Sequence, residues 1–308
     1  MIIMSLDLTA IILTFNEEIH IERCIRSLKP VAQQVFLVDS YSTDRTIEIA
    51  QSLGAKVWQH EFINQAKQFQ WALDTLPVET EWIMRLDADE YLLPELVDEI
   101  KGRLPMLTPD VSGVYLRCRE IFLERWIKYG GRNSWRVLRI WRNNRGVMKE
   151  RWMDEYITLI SGNAITFKHT FCNHNLKSIG LWINKHNSYA TREALEMLMR
   201  KYCPRDKEDD LFYTKRVNSA ILKRFIKEKL YPSVPGFWGP CIYFFYRYVI
   251  RLGFLDGKEG LAYHFLQGFW YRFLVEVKVL EFDRMLQGLK KQNERVAKIK
   301  ELSALTLK

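Results

Sequence analysis

An apolar run, Trp82, Ile83, Met84 and Leu86, ends abruptly in Asp87-Ala88-Asp89-Glu90. Burying an anion without a partner costs several kcal/mol, so such a carboxylate cluster must stand at a strand end, facing water or a cation. In an extended segment residues two apart point the same way, so Asp87 and Asp89 can converge on one ion. Oxygen ligands at an open site suit Mg²⁺ or Mn²⁺, with a phosphate completing the shell. The plainer reading is a solvated acidic turn that opens the next helix, with Pro94 in its first turn.

Two other polar clusters have the same character, Thr14 to Glu18 (TFNEE) and Asp39 to Asp44 (DSYSTD). No G-x-G-x-x-G follows the first, and a Walker lysine loop is also missing, so neither a dinucleotide site nor a P-loop has support. What remains is a nucleotide pocket built from carboxylates and a metal. Asp39 suits a hydrogen bond from a base or ribose, and equally the capping of its own turn. Ser42, Thr43 and Asp44 read as the cap and first-turn charge of a helix.

The elements that must position these clusters alternate in period. Leu8 to Phe15 is a strand and Glu17 to Leu28 a helix; Val35 to Val38 is a second strand. Thr43 to Leu53 is a helix with Gly54 as its stop, Ala55 to Trp58 a strand, Gln65 to Leu76 a helix, and Trp82 to Leu86 the fourth strand. This alternation implies an α/β fold with a parallel, doubly wound sheet, whose ligands bind beyond the carboxyl ends of the strands. Further on, Val111 to Arg119, Trp135 to Trp141 and Ala164 to Lys168 read as strands.

TFNEE, VDSYSTDRT and RLDADE, in this order and at these intervals, resemble the nucleotide-sugar domain of the family 2 glycosyltransferases. The resemblance covers residues 8–175 and lies nearest bacterial enzymes that build capsule, exopolysaccharide or lipopolysaccharide core. It implies a GT-A (Rossmann-like) mixed sheet flanked by helices, and a nucleotide-sugar donor, a UDP-sugar in the first place. It makes Asp39 a contact to the nucleobase, Asp87 a contact near the ribose or metal, and Asp89 the direct metal ligand on the diphosphate. Phe15, Asn16 and Glu17 then line the nucleotide side. Lys67 stands where the family often has a basic residue near the donor; as a plain helix residue it is a solvated lysine.

An inverting transfer needs a base to take the acceptor hydroxyl's proton as that oxygen attacks the anomeric carbon. In ERWMDEYITLI the resemblance gives this role to Glu155 ahead of Asp154; the pair can also simply flank a strand at the surface. His169, first of His169, His174 and His186, stands where a family histidine can complete the metal shell. Lys185 or Arg192, on the helix that carries His186, suits the leaving diphosphate.

Charge and the tail supply the remaining bounds. The net charge of +9 divides unevenly: residues 1–110 carry 9 Lys+Arg against 18 Asp+Glu, and the rest 37 against 19. A basic back half must meet something anionic. From Ile179 onward the period is helical, and residues 237–273 hold 14 of the 41 aromatics. Leu261, Phe265, Leu266, Phe269, Trp270 and Phe273 fall on one stripe. Arg247 and Arg251 share a face of IYFFYRYVIRL and interrupt it well short of the roughly 20 apolar residues a spanning helix needs. Aromatics beside Arg and Lys mark a helix lying in lipid headgroups, although packing on the catalytic domain would also bury such a stripe.

The five cysteines are scattered and odd in number, which argues for a reducing compartment, and the N-terminus has no basic leader of an export signal. The expected organisation is a catalytic domain over 1–175 and a helical region over 176–308. Its partners would be a nucleotide-sugar donor, a lipid-linked saccharide acceptor and the inner face of the bacterial cytoplasmic membrane, where the protein is peripheral. Two other classes compete. A sugar nucleotidyltransferase would show a glycine- and basic-rich loop after strand one, where TFNEE has none. A basic membrane or nucleic-acid adaptor would show an RRM, KH or helix-turn-helix signature, and none is present, so nucleic acid is not expected as a partner.

Overall fold

The structure is a computed structural model that describes residues 6–133, 135–149, 156–203, 236–289 and 291–305. It divides into two compact units, one of residues 1–128 and 132–178, the other of Tyr129–Gly131 and Ile179–Lys308.

The first unit begins with the expected alternation: β1 (Leu8–Thr14), α1 (Glu18–Leu28), β2 (Gln34–Asp39), α2 (Thr46–Ser52), β3 (Lys56–Gln59), α3 (Gln65–Thr75) and β4 (Trp82–Asp87). There follow β5 (Glu90–Leu92), α4 (Pro94–Arg103), β6 (Val111–Phe122), β7 (Arg125–Trp126), β8 (Trp135–Arg142), β9 (Gly146–Lys149), β10 (Tyr156–Leu159) and β11 (Asn163–His174). The main sheet has the order β3-β2-β1-β4-β8-β6-β11-β5, with β7 on β6 and a separate β9–β10 pair. Its first four strands are parallel, as right-handed helical crossovers require. β8 then enters antiparallel to both β4 and β6, so the sheet is mixed.

Two apolar layers sandwich this sheet. Ile12, Met84, Leu86, Leu116, Cys118 and Phe171 belong to a core with α1 and α4 on one face. Ile11, Phe36, Ile83, Leu138 and Trp141 belong to a second core, against Phe69 of α3. Strands covered on both faces must be apolar nearly throughout, and β1 and β2 are. Gly54 ends α2 at φ +86°, a conformation that glycine adopts without a Cβ penalty.

α2 starts later than the spacing of Ser42 and Thr43 implied. Those residues belong to the loop before it: Ser42 Oγ donates to Asp39 Oδ1 at 2.5 Å, and Asp44 Oδ1 accepts from the Thr46 amide at 3.0 Å. β11 also runs further than the expected strand. A register shift between Thr166 and Thr170 accommodates an irregularity, after which pairing resumes to His174.

The second unit contains α5 (Ile179–Tyr202), α6 (Trp238–Phe245), α7 (Gly257–Tyr263), α8 (Tyr271–Gln287) and α9 (Gln292–Leu305). α5 packs on α8 through Ala190, Tyr271 and Val275, and Glu193 accepts hydrogen bonds from Tyr271 and Arg272. π-helical turns occupy Tyr246–Ile250 and His264–Trp270. The wider π turn changes which residues share a face, and it corrects the common face expected of Arg247 and Arg251. Arg247 is buried and donates Nε to the Gly130 carbonyl at 3.1 Å, while Arg251 is exposed. Gly130 (φ +67°) also lets the His264 ring pack against it, since a Cβ there would lie 2.1 Å from that ring.

Candidate active site

β1, β2 and β4 are adjacent and parallel, so the polar residues ending each of them fall at one edge of the sheet. Asp39 is fully buried, with its carboxylate committed to the loop that follows. Oδ1 accepts from Thr14 Oγ1 at 3.0 Å and from Ser42 Oγ, and Oδ2 accepts from the Ser42 amide at 2.8 Å. Of its two sequence readings, this geometry is the turn-capping one.

Asp87 faces two cations. Arg85 Nε donates to Oδ1 and Arg139 Nη2 to Oδ2, each at 3.2 Å. Burial alone would raise the Asp87 pKa, but the two guanidiniums outweigh it and hold the carboxyl well below the usual range. Arg139 also donates to Glu90, whose other oxygen accepts from the Asp87 amide at 3.0 Å. Burial, reinforced by the neighbouring Asp87 charge, pushes Glu90 up to about 8 despite Arg139.

Of Asp39, Asp87 and Asp89, the first two are engaged by the chain's own donors on both oxygens, and among the described residues no group of three or more His, Cys, Asp and Glu is placed to hold a metal. Asp87 and Asp89 are both partly exposed, and Asp89 Oδ2 lies 3.5 Å from Asn175 Nδ2. Mg²⁺ and Mn²⁺ commonly take one or two carboxylates, water and phosphate oxygens, so this donor set fits a cation shared with a diphosphate.

The histidine beside Asp89 is His174. Its amide donates to the Asp89 carbonyl at 3.0 Å. Arg23 Nη1 donates to its Nδ1 at 2.9 Å, leaving Nε2–H to donate to Glu124 at 3.0 Å. Burial and the Arg23 charge hold the His174 pKa below its ordinary value, which favours the neutral ring. His169 lies five residues back along β11, roughly 15 Å from the strand end. Its ring donates to the Glu95 carbonyl at 3.0 Å and its amide to Glu99 at 2.8 Å. The continuation of β11 past the irregularity thus removes His169 from the expected metal shell.

On the β1 side, Phe15 is 56% exposed. Asn16 has φ +53° and accepts from the Thr43 amide at 2.8 Å, pinning the β1 tip to the β2 loop. Glu17 is held from two sides, by His20 Nδ1–H at 2.6 Å and Lys177 Nζ at 2.7 Å. The Leu176 amide donates to His20 Nε2 at 2.8 Å and so fixes that tautomer. Lys67 is exposed in the first turn of α3, on an open depression of about 480 Å³ that Trp71, Val147 and Met148 also line. Asp154 and Glu155 lie outside the described residues. His186, in the second unit, stacks on Trp182 at 3.5 Å between ring centres, and its Nδ1–H donates to the Trp182 carbonyl.

Sequence reasoning passed over Arg85, Arg139 and Lys177. The first two had a signal: each is a lone charge inside an apolar strand pattern, Met84-Arg85-Leu86 and Leu138-Arg139-Ile140, which demands a buried counter-charge. Lys177 had none.

Residues 9–171, more than half of the 308, match the family described as "Glycosyl transferase family 2". The chain belongs to that family. The parallel β3-β2-β1-β4 half joined to mixed strands is its GT-A arrangement. An "Uncharacterized glycosyltransferase" of Rickettsia bellii is 43% identical over 99 residues, which are 32% of this chain and 33% of that protein. "Lipopolysaccharide core biosynthesis glycosyltransferase LpsC" of Rhizobium meliloti is 37% identical over 113 residues, covering 32% of this chain and 41% of that one. The matched stretch thus spans well under half the length of either relative. Among solved structures, glucosyl-3-phosphoglycerate synthase from Mycobacterium tuberculosis, in a complex with Mn²⁺, UDP and glucosyl-3-phosphoglycerate, is similar at a TM-score of 0.31. It is 23% identical, over 36% of this chain and 44% of that one. Mannosyl-3-phosphoglycerate synthase from Rubrobacter xylanophilus is similar at 0.32, with 21% identity over 39% and 41%.

Proposed function

We propose that the protein is an inverting, divalent-metal-dependent glycosyltransferase. In this reading it moves a sugar from a nucleotide-sugar, a UDP-sugar in the first place, to a lipid-linked saccharide in bacterial surface polysaccharide synthesis. The observation that carries this is Asp89, half-exposed at the carboxyl end of the parallel strands of a family 2 domain and flanked by Asn175 and His174. Asp89 would hold the cation. Bound there, Mg²⁺ or Mn²⁺ supplies charge neutralisation to the leaving diphosphate.

The chain's own residues do the rest. Asp87, kept anionic by Arg85 and Arg139, accepts hydrogen bonds near the ribose, and Phe15 offers an exposed ring on the nucleotide side. Glu155 or Asp154 takes the acceptor hydroxyl's proton as its oxygen attacks the anomeric carbon from the side opposite the diphosphate. The base test uses Glu155→Gln and Asp154→Asn: at least one keeps donor binding and loses transfer, whereas turnover retained by both puts the base elsewhere. UDP release from UDP-sugars supports the transferase reading; pyrophosphate release from sugar phosphate and NTP would support a nucleotidyltransferase instead.

The same reading places the second unit on the membrane surface. Trp238, Ile242, Phe245, Ile250, Leu252 and Phe254 are each 45% exposed or more, an apolar concentration unusual for a face left in water. Exposed Arg251 and Lys258 in the same segment suit anionic headgroups. No described helix is long and apolar enough to cross a membrane.

A further inference from the structure

On the sheet face that carries Tyr115 and Leu138, β6 and β8 run on past the apolar layer into arginine. β6 continues through Arg117 and Arg119, and β8 sets Arg136 directly opposite Arg117. Leu116 and Cys118 belong to the core on the other face, so strand alternation puts all three arginines on this one. Like charges facing each other across a ladder repel. Neither Arg117 nor Arg136 is ion-paired to a carboxylate among the described residues.

Three further polar atoms point to the same ligand chemistry. Among the described residues, Arg119 Nε, Trp126 Nε1 and Thr170 Oγ1 are buried without a hydrogen-bond partner, an arrangement folded proteins rarely leave unanswered. Thr170 is 8% exposed and pairs with Arg117 in register, and it alternates with the core residue Phe171, which turns it toward the arginines. The Arg119 guanidinium stacks on Trp126, 4.3 Å from the ring centre. The group is rich in donors and poor in acceptors. It calls for an anion, and guanidinium forks fit a carboxylate or a phosphate.

Its position separates it from the donor side. β6 runs in the same direction as β4, since β8 is antiparallel to both, so Arg117 and Arg119 lie toward the sheet edge that holds Asp87. With strands about 4.8 Å apart, Arg136 is roughly 5 Å and Arg117 roughly 10 Å across the sheet from the Asp87 strand, away from β1 and β2. We propose that Arg117, Arg119 and Arg136, with Thr170 and Trp126, bind a carboxylate or phosphate group on the acceptor saccharide. The protein therefore glycosylates an acidic sugar chain. This rests on the transferase reading above.

The test is calorimetric titration of the full chain with glucose, glucose 6-phosphate and glucuronic acid, and separately with UDP and Mn²⁺. At least one of the two acidic sugars binds and glucose does not; the tighter of the two identifies phosphate or carboxylate as the recognised group. In the Arg117→Ala/Arg136→Ala variant that binding weakens tenfold or more while UDP affinity stays within twofold. Arg117→Lys, which keeps charge but loses the fork, falls between, and an unchanged melting temperature certifies folding in both. Acidic sugars binding no better than glucose, equal affinity in the variant, or a parallel loss of UDP affinity each overturns the assignment, the last by giving the arginines to the donor diphosphate. Acidic-sugar binding that depends on the arginines, with no nucleotide-sugar consumed by the wild type, leaves the anion site standing and removes the transferase reading.

Discussion

Lys177 Nζ lies 2.7 Å from Glu17 Oε1, and this pair ties the tip of β1 to the segment that follows β11. Burial would raise the Glu17 pKa, but hydrogen bonds from His20 and Lys177 outweigh it and hold the carboxyl below its ordinary value. A depressed carboxylate stabilises the fold above its unfolded pKa, and that contribution is lost as pH falls through the folded value. Glu17→Gln should therefore lower stability at pH 7 by about 1–2 kcal/mol, the scale of a charge-assisted hydrogen bond screened at a partly open site. In urea titrations the gap to the wild type should close as pH is lowered below about 4.5.

Glu90 behaves oppositely. With its folded value pushed up to about 8, the folded state holds a proton that the unfolded chain releases near 4.5. Stability then falls as pH rises between those values and levels off above them, by up to about 1.4 kcal/mol per pH unit. Glu90→Gln mimics the protonated form and should flatten that slope in pH-dependent chemical denaturation. A slope unchanged in the variant would show that Glu90 is ionised throughout, balanced by Arg139.

His174 and His169 separate in a metal titration. His174→Ala should weaken Mn²⁺ dependence of donor binding severalfold, because it releases Arg23 and Glu124 from the strand end whose amide holds the Asp89 carbonyl. His169→Ala should leave it unchanged and cost about 1 kcal/mol of stability through the lost bond to Glu95. The reverse order would restore His169 to the metal shell.

The apolar surface of the second unit should show itself with vesicles. Phe245→Glu with Ile250→Glu should cut sedimentation with anionic vesicles by tenfold or more and leave UDP binding intact. Binding of the wild type to neutral and anionic vesicles alike would remove the role given to Arg251 and Lys258.

The parallel half of the fold was legible because each strand is apolar, short and followed by a turn signal, and Gly54 and Pro94 sit where the structure uses them. The extent of β11 was not: an irregularity between Thr166 and Thr170 breaks the period-two pattern, so a sequence reading stops at His169. Asp87 was found but its partner was not: Arg139 comes from a strand 52 residues later, and only pairing of β4 with β8 reveals it. Arg247 and Arg251 were misjudged for a local reason. A π turn has no distinctive sequence pattern, and four-residue spacing implies one face only in an α-helix.

Asp89 carries the central claim, and UDP release from a panel of UDP-sugars with Mn²⁺, measured for wild type and Asp89→Ala, tests it most directly. The account predicts metal-dependent release by the wild type, abolished by EDTA, and a loss of at least a hundredfold in Asp89→Ala with the melting temperature unchanged. Turnover that persists in EDTA, or an Asp89→Ala protein as active as wild type, would contradict it.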